Sequence, residues 1–209
     1  MKRKILELLV AAALALAPAS LGRAAMPDAT APPADGPSLA GKLLIASPDM
    51  GDPRFSHTVI LIVRHNAQGA FGLVLNRPVE ERSIASLLEA IGADAKGVEG
   101  NVRIYAGGPV EPEIGFVVHS AEFHTAQTIA IDGRVAVTSS PEVIRDIGLG
   151  KGPKKSLIAF GYAGWAPGQL EGELKRNDWY LAPEDPALVF DAPRDQLWDL
   201  AMKRREIEL

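Results

Sequence analysis

The sequence contains no cysteine among its 209 residues. Disulfide bonds, thiol catalysis and a lipid-modified N-terminal cysteine are therefore excluded. Exported proteins also occur without disulfides, so this absence does not by itself indicate a compartment. The hydrophobic content of 47% is typical of one soluble globular domain with a real core, and it argues against a disordered body.

Motifs that indicate a particular reaction are missing as well. No serine lies in a G-x-S-x-G sequence, and no Ser-His-Asp set can be assembled from the sequence. The histidines, none of which has the close spacing of metal ligands, are His57, His65, His119 and His124. An arrangement in which two of them meet an acid in the fold is an alternative, but the sequence predicts no metal, no cofactor and no catalytic residue.

The stretch GLGKGPKKS, residues 148–156, has the glycines and lysines of a phosphate-binding loop. The G-x-x-x-x-G-K-[ST] spacing fails in every register, however. The order of elements is also helix, loop, strand, whereas a phosphate-binding loop needs strand, loop, helix. We therefore interpret this stretch as a flexible basic turn.

Carboxylates occur in close pairs, such as Glu111 with Glu113 and Glu171 with Glu173. Residues two apart point to different faces of a helix, so this spacing does not place both carboxylates on one helical face. The pattern favours solvated loop acids, and a general-acid pair is the alternative.

A hydrophobic run long enough to cross a membrane is not present near the N-terminus. The apolar stretch from Ile5 to Ala17 has 13 residues, whereas a membrane-spanning helix needs roughly 20. It follows basic residues 2–4 and precedes small residues, which is the layout of a secretory signal peptide. We expect cleavage after Ala24, with Ala19 as the alternative, and hence a periplasmic or secreted protein without a permanent membrane anchor. The other interpretation is an N-terminal extension on a cytoplasmic protein.

The predicted organisation is a signal peptide over 1–24, a flexible leader over 25–42 and a single domain over 43–209. The leader is rich in Pro, Ala and Asp and has no apolar periodicity. Cleavage removes four basic residues and one acid, which takes the formal net charge from −4 to −7. A chain of that charge is repelled by phosphate backbones, so nucleic acid is disfavoured as a partner.

Short apolar runs, rich in β-branched residues and bordered by turn residues, predict strands. The predicted strands are 42–46, 57–64, 70–76, 102–106, 115–120, 128–131, 134–139, 156–162, 179–182 and 187–191. Turn sequences at 66–69 and at Asp132-Gly133 join neighbouring strands as hairpins. Antiparallel pairing is therefore expected to dominate.

Four helices are predicted between the strands. Ser83 caps the helix over IASLLEAIG, and Ser140 caps the helix over PEVIRDIG. The other two extend from Gln169 to Asn177 and from Asp195 to Arg205. Strands grouped in hairpins, with helices interspersed irregularly, favour an α+β fold over a doubly wound sheet.

Three long motifs carry a resemblance to a known family. They are SPDMGDPRFSHTVILIVRHNAQGAFGLVLNRP, GGPVEPEIGFVVH and GYAGWAPGQLEGELKRNDWYL. Through them the chain resembles the AlgH/YqgE proteins of bacteria, from about Leu43 to Trp198. The resemblance implies an α+β fold whose twisted, largely antiparallel sheet closes partly into a barrel with a few flanking helices. It implies no established catalytic activity. Ala166 stands where many relatives have Gly, and the secretory-looking leader differs from a mostly cytosolic family.

Candidate binding residues lie in these motifs at turns and strand ends, where glycines permit close approach and amides are available. The candidate ligand- or partner-binding residues are Asn66, Asn76, Arg77, Gly107, Gly108, Glu111, Trp165, Gln169, Glu171 and Asn177. Gly107-Gly108-Pro109 is expected to form a sharp turn whose amides make an anion-binding nest.

The sequence favours a non-enzymatic binding or accessory domain with an unknown protein or small-molecule partner, since it shows no catalytic constellation. An enzyme of unrecognised type is the alternative, with a pocket near Asn76, Arg77, Glu111, Gln169 and Glu171. A transcriptional regulator is a further alternative, which the acidic charge and the lack of a visible DNA-reading helix disfavour.

The stretch from Gly161 to Trp179 is compatible with both packing and binding. Trp165 directly follows the apolar run LIAFGYAG at the end of a predicted strand, so we expect both tryptophans to pack a helix onto the sheet. Gln169, Glu171 and Asn177 would then be free to face a groove.

Overall fold

The structure is a computed structural model that describes residue 31 and residues 36–206. The predicted signal peptide, its cleavage site and most of the predicted leader lie outside the described residues. Within them, none of the helices combines the length and the hydrophobicity needed to span a membrane.

The described chain forms ten strands and four α-helices. The strands are β1 (Lys42–Ala46), β2 (Val59–Asn66), β3 (Gly69–Val74), β4 (Pro78–Ser83), β5 (Asn101–Ala106), β6 (Val110–Ser120), β7 (Thr128–Ala130), β8 (Val135–Thr138), β9 (Ser156–Trp165) and β10 (Trp179–Pro183). The helices are α1 (Ile84–Ala90), α2 (Pro141–Gly148), α3 (Gln169–Lys175) and α4 (Leu197–Met202), and a π-helical segment covers Ala187–Asp191.

The strands form one curled sheet. Its main order is β10-β1-β2-β3-β9-β6-β8-β7, and β4 joins it through β5, which pairs with β9. All neighbouring strands in the described chain run antiparallel except β5 and β9, which pair in parallel. β9 is central, because β6 pairs with one of its edges while β5 and β3 share the other. The sheet makes a half-barrel, which confirms the expected α+β fold.

Alternation along the strands gives the sheet two apolar faces. In β1, Leu43 and Ile45 belong to the cluster on one face, whereas Leu44 and Ala46 belong to the cluster on the other. The second cluster includes Trp165 at the end of β9, and α3 covers it. Both faces of β1 are therefore buried, which explains why its sequence is apolar without interruption.

The local signals predicted most turns and caps correctly. The hydroxyl oxygen of Ser83 accepts a hydrogen bond from the Ser86 N–H at the start of α1, and that of Ser140 accepts one from the Glu142 N–H at the start of α2. β2 and β3 pair across the turn at 66–69, and β7 and β8 pair across the turn at Asp132-Gly133. The helices α3 and α4 end earlier than predicted.

One predicted strand is wrong, and one observed strand was not predicted. Residues 187–191 were expected to form a strand but form a π-helical segment. At its first residue, the Ala187 N–H donates a hydrogen bond to the Asp185 side chain. The strand β4 was not predicted, because its sequence PVEERS begins with proline and half of its residues are charged. It is an exposed strand that, within the described residues, pairs with β5 alone, so it needs no apolar alternation.

Candidate functional site

A groove of about 420 Å³ opens where the loop between β1 and β2, residues 47–58, meets β9, α3 and the start of β10. Its lining combines aromatic and polar side chains. The aromatic residues of the lining are Phe55, Trp165 and Trp179, and its polar residues include Arg54, Gln169 and Glu173. We refer to this feature as the aromatic groove.

The strands place the two tryptophans of the groove. Trp165 ends β9 opposite Ala70, and Trp179 begins β10 opposite Ala46, so small residues face both indoles across the sheet. Each tryptophan is only 3% exposed. Their rings meet edge to face at 6.0 Å between centroids, and Phe55 meets Trp179 in the same way at 5.6 Å. The expectation that both tryptophans pack α3 onto the sheet is confirmed.

One carboxylate joins the two tryptophans. The Nε1–H groups of Trp165 and Trp179 both donate to Oε2 of Glu173, each at 2.8 Å. Gln169 Nε2 donates to Oε1 of the same carboxylate at 2.9 Å, and Gln169 Oε1 accepts from the Ala166 N–H at 3.1 Å. Helix α3 is thereby fastened to two strands through side chains that also line the groove.

Glu173 was not among the candidate residues, although Glu171, two positions earlier, was. The useful signal was a different spacing. Gln169 and Glu173 are four residues apart, which places them on the same face of α3. The sequence could not show that two indoles, one from each flanking strand, meet that face.

Glu171 lies on α3 but makes contact outside the lining of the groove. Its Oε1 is 2.8 Å from Nε2 of the buried His65, and Nδ1 of His65 accepts a hydrogen bond from the Leu39 N–H at 3.1 Å. Burial raises the pKa of Glu171, but hydrogen bonds from its own backbone N–H and from His65 outweigh that effect and leave the pKa below its usual value. Glu171 therefore helps to hold the chain entering β1 against the sheet.

Asn76 and Arg77 hold the C-terminal end of the loop 47–58 through hydrogen bonds to its backbone and to the start of β2. Asn76 Oδ1 accepts from the Val59 N–H at 3.0 Å, and Asn76 Nδ2 donates to the His57 carbonyl at 2.9 Å. Arg77 donates to the Ser56 carbonyl. His57 has a φ of 56°, a conformation that few residues with a side chain adopt. Asn76 and Arg77 are thus connected to the groove through the loop that carries Arg54 and Phe55.

Gly107 and Gly108 let the chain cross closely over β9. The Gly107 N–H donates to the Phe160 carbonyl at 2.7 Å, so this amide is not available for the expected anion nest. A Cβ atom on Gly108 would lie 2.0 Å from the carbonyl carbon of Tyr162, and its φ of 155° also favours glycine. The crossing delivers the next residues, Pro109 and Val110, to the lining of the groove.

The three other candidates lie at backbone turns outside the lining of the groove. Asn66 Oδ1 accepts from the Gln68 N–H at 2.9 Å and stabilises the turn between β2 and β3. Asn177, with a φ of 59°, follows the end of α3 in the left-handed conformation that commonly ends helices. Glu111, with a φ of 47°, lies in the irregular part of β6 where its register with β9 shifts.

Among the ten candidate residues, Trp165 and Gln169 line the aromatic groove. Of the five side chains proposed for an enzyme pocket, only Gln169 belongs to that lining, so the five do not share this groove. The loop residues Arg54 and Phe55 were not chosen as candidates, although they lie in one of the motifs that carry the resemblance. In residues 36–206, no group of three or more His, Cys, Asp or Glu is placed to hold a metal ion.

Two of the three acids that line the groove form ion pairs, whereas the third accepts hydrogen bonds from neutral groups. Asp52 pairs with Arg54 at 2.6 Å, and the hydrogen bond from Arg54 lowers the pKa of Asp52 below its usual value. Asp178 pairs with Arg176 at 2.9 Å. For Glu173, by contrast, the described chain provides three neutral donors and no ion pair within 4.0 Å.

A second buried acid, Glu184, lies away from the groove with a side chain that is 1% exposed. Arg134 donates to Oε2 of Glu184 and to Oδ2 of Asp132, each at 2.8 Å. Burial raises the pKa of Glu184 to about 8, with a further contribution from the neighbouring Asp132. The three residues connect the turn between β7 and β8 to the end of β10.

Comparison with known proteins gives matches over nearly the whole domain. The model of the AlgH-like family matches residues 43–209. A UPF0301 protein of Jannaschia sp. is 43% identical over 181 residues, which cover 86% of this chain and 91% of the relative. A UPF0301 protein of Rhodospirillum rubrum is 42% identical over 170 residues, which cover 81% of this chain and 88% of the relative.

Two solved structures are similar to this chain. The solution structure of the AlgH protein from Pseudomonas aeruginosa has a TM-score of 0.67 and 39% sequence identity, and the match covers 86% of this chain and 92% of that one. The crystal structure of a protein from Corynebacterium diphtheriae has a TM-score of 0.62 and 24% identity, covering 83% and 90% of the two chains. The second likeness supports the fold alone.

Proposed function

The chain belongs to the AlgH-like family, whose molecular function is not established, and we propose that it is a non-enzymatic binding domain. The aromatic groove is the proposed binding site, for a small molecule or for a segment of a partner protein. One observation carries the proposal. The groove of about 420 Å³ is lined by three aromatic side chains, two of which are positioned by hydrogen bonds to a single carboxylate.

The size and composition of the groove support binding. Small-molecule sites are typically roughly 300–1,000 Å³, with mostly apolar walls and a few polar groups that orient the ligand. Trp165 and Trp179 cannot turn away from the groove without losing their hydrogen bonds to Glu173. The site is therefore organised before a ligand arrives, which reduces the entropy lost on binding.

The chemistry of the lining supports a non-enzymatic role. Among the described residues that line the groove there is no Ser, Thr, Cys, His, Lys or Tyr, and these types supply most nucleophiles and general bases. The carboxylates of Asp52 and Glu173 are already engaged by Arg54, Gln169 and the two indoles. These contacts hold the two side chains in position around the groove.

The compartment is part of the same proposal. A basic start, a short apolar run and small residues before Ala25 support export and cleavage, so the partner would be met in the periplasm or outside the cell. A cytoplasmic protein with an N-terminal extension is the other candidate.

The binding proposal can be tested with the indole N–H resonances of the protein in NMR spectra. Trp165 and Trp179 report on the groove, whereas Trp198 donates to the Ala46 carbonyl at 2.8 Å and serves as an internal control. When the protein is titrated with small-molecule and peptide fractions of the native host's extract, we expect one fraction to shift the Trp165 and Trp179 signals and leave Trp198 unchanged.

Filling the groove provides the matched variant. A Cβ atom on Gly51 would meet nothing within 4 Å, and Gly51 lies in the lining, so Gly51→Phe is expected to fold and to block the groove. Gly51→Ala is the control, which makes the same backbone change without filling the space. The proposal fails if no fraction moves the two signals, or if Gly51→Phe responds like Gly51→Ala.

A further inference from the structure

Glu173 is the acid of the aromatic groove for which residues 36–206 provide no cationic partner. The other two acids in the lining have cationic partners, since Asp52 pairs with Arg54 and Asp178 pairs with Arg176. The donors to Glu173 are two indole N–H groups and one amide N–H, all of which are neutral. They orient the carboxylate and disperse its charge but do not cancel it.

The carboxylate also has room for one more donor. A carboxylate has about four acceptor positions on its two oxygens. Among the described residues, Oε2 of Glu173 accepts from both indoles, whereas Oε1 accepts only from Gln169 Nε2. The free acceptor position is therefore on Oε1, in a side chain that lines the groove.

The rest of the lining suits the stem of such a ligand. The guanidinium of Arg54 already lies 5.8 Å from the centroid of Phe55, and Trp165 and Trp179 are each 3% exposed, so the rings offer packing surface and the carboxylate of Glu173 supplies the charge. Apolar side chains, including Met50 and Val110, line other parts of the groove and can contact an aliphatic chain.

We propose that the aromatic groove binds a small organic cation that carries a guanidinium or primary ammonium group on an aliphatic stem. This inference rests on the proposed binding function. The cationic group donates to Oε1 of Glu173, and the stem packs against the aromatic and apolar lining. The volume of about 420 Å³ favours a small molecule over a folded partner.

The test compares two probes that have the same shape and different charge. Butylguanidinium is a cation, and butylurea is its neutral counterpart. We expect butylguanidinium to shift the indole signals of Trp165 and Trp179 while Trp198 stays unchanged, and we expect butylurea to bind at least about tenfold more weakly, which is about 1.4 kcal/mol. This comparison uses the unaltered protein, so it does not depend on whether any variant folds.

Two variants of α3 make the test specific for one carboxylate. Glu173→Gln removes the negative charge in the groove, and it is expected to weaken butylguanidinium binding at least about tenfold. Glu171→Gln makes the same change of charge two residues away, on a side chain that contacts His65 and does not line the groove. It is expected to leave the affinity unchanged, and the Trp198 signal checks that both variants are folded.

The results separate this inference from the proposed function. Equal affinity for the two probes would overturn the inference and leave the groove as a binding site. Binding of an arginine-containing peptide but not of butylguanidinium would also overturn it, in favour of a protein partner. If neither small probe moves the groove signals, the inference fails, and the extract titration with Gly51→Phe decides the proposed function independently.

Discussion

Replacing Trp165 with alanine tests whether the aromatic groove is held together by packing. The indole is 3% exposed and contacts a cluster that includes Leu170 of α3 and Trp179 of β10. Truncation of a buried Trp to Ala costs about 3–5 kcal/mol. It also removes one of the three hydrogen bonds to Glu173, and a net contribution of about 1.5–3 kcal/mol is typical of a bond to a charged group.

We expect Trp165→Ala to lower the free energy of unfolding by about 4 kcal/mol, the middle of the truncation range, because water entering the vacated space can take over the lost hydrogen bond to Glu173. For a domain of this size, that corresponds to a melting temperature lower by about 8–16 °C. Urea unfolding followed by far-UV circular dichroism measures the change without depending on tryptophan fluorescence.

Trp165→Phe is the matched variant for this measurement. It keeps an aromatic ring in the cluster but removes the N–H that reaches Glu173, so a loss of about 1.5–3 kcal/mol is expected. The reasoning is refuted if Trp165→Ala costs less than about 1 kcal/mol, or if the alanine and phenylalanine variants are equally stable.

Three further predictions rest on other contacts, and a fourth rests on the N-terminal sequence. Gln169→Ala should cost about 1–2 kcal/mol in urea unfolding, because the side chain makes two hydrogen bonds; a cost below about 0.5 kcal/mol, as for an exposed side chain, would contradict the network. Gly108→Ala should destabilise the domain by more than about 3 kcal/mol, since its Cβ would overlap the Tyr162 carbonyl; a stable variant would disprove the close crossing. The raised pKa of Glu184, about 8, stabilises the fold fully below the unfolded-state pKa of about 4.5, and this contribution is lost as the pH rises through 8. Urea midpoints between pH 5 and 9 should therefore fall less steeply in Glu184→Gln, and parallel curves would contradict this assignment. Sequencing the mature N-terminus from fractionated host cells should find a start near Ala25 outside the cytoplasm, whereas an intact Met1 in the cytosol would refute export.

The alternative enzyme pocket shows the limit of choosing site residues from motifs. Asn76 and Arg77 were selected because they end an apolar strand with polar groups, yet their hydrogen bonds go to the backbone at Ser56, His57 and Val59. A polar residue at a strand end can form hydrogen bonds either with a ligand or with the backbone of a neighbouring loop, and its sequence context is the same in both cases. Only the position of the loop distinguishes them.

The two errors in secondary structure have different physical origins. The run ALVFD, residues 187–191, has the apolar content of a strand, but a short apolar run buries itself equally well in a helical turn. The charged sequence of β4 forms a strand because β5 offers it an open edge, and an edge strand with both faces exposed needs no apolar residues. The first case was decided by a local hydrogen bond to the Asp185 side chain, and the second by the neighbouring strand β5.

What the sequence by itself determined is local. The caps at Ser83 and Ser140, the turns at 66–69 and 132–133, and the apolar runs of nine strands depend on interactions between residues that are close along the chain. These interactions have short, fixed spacings, so their patterns can be recognised before the fold is known.

The tertiary structure alone decided which distant residues form the groove. Phe55 reaches Trp179 from a loop more than a hundred positions earlier, and Glu173 collects donors from two strands that flank its helix. Glu173 and Glu171 have the same side chain and almost the same sequence environment, but α3 turns one toward two indoles and the other toward His65. The direction of a side chain on a helix has meaning only when the surfaces around that helix are in place, which is why the two acids differ in the fold and not in the sequence.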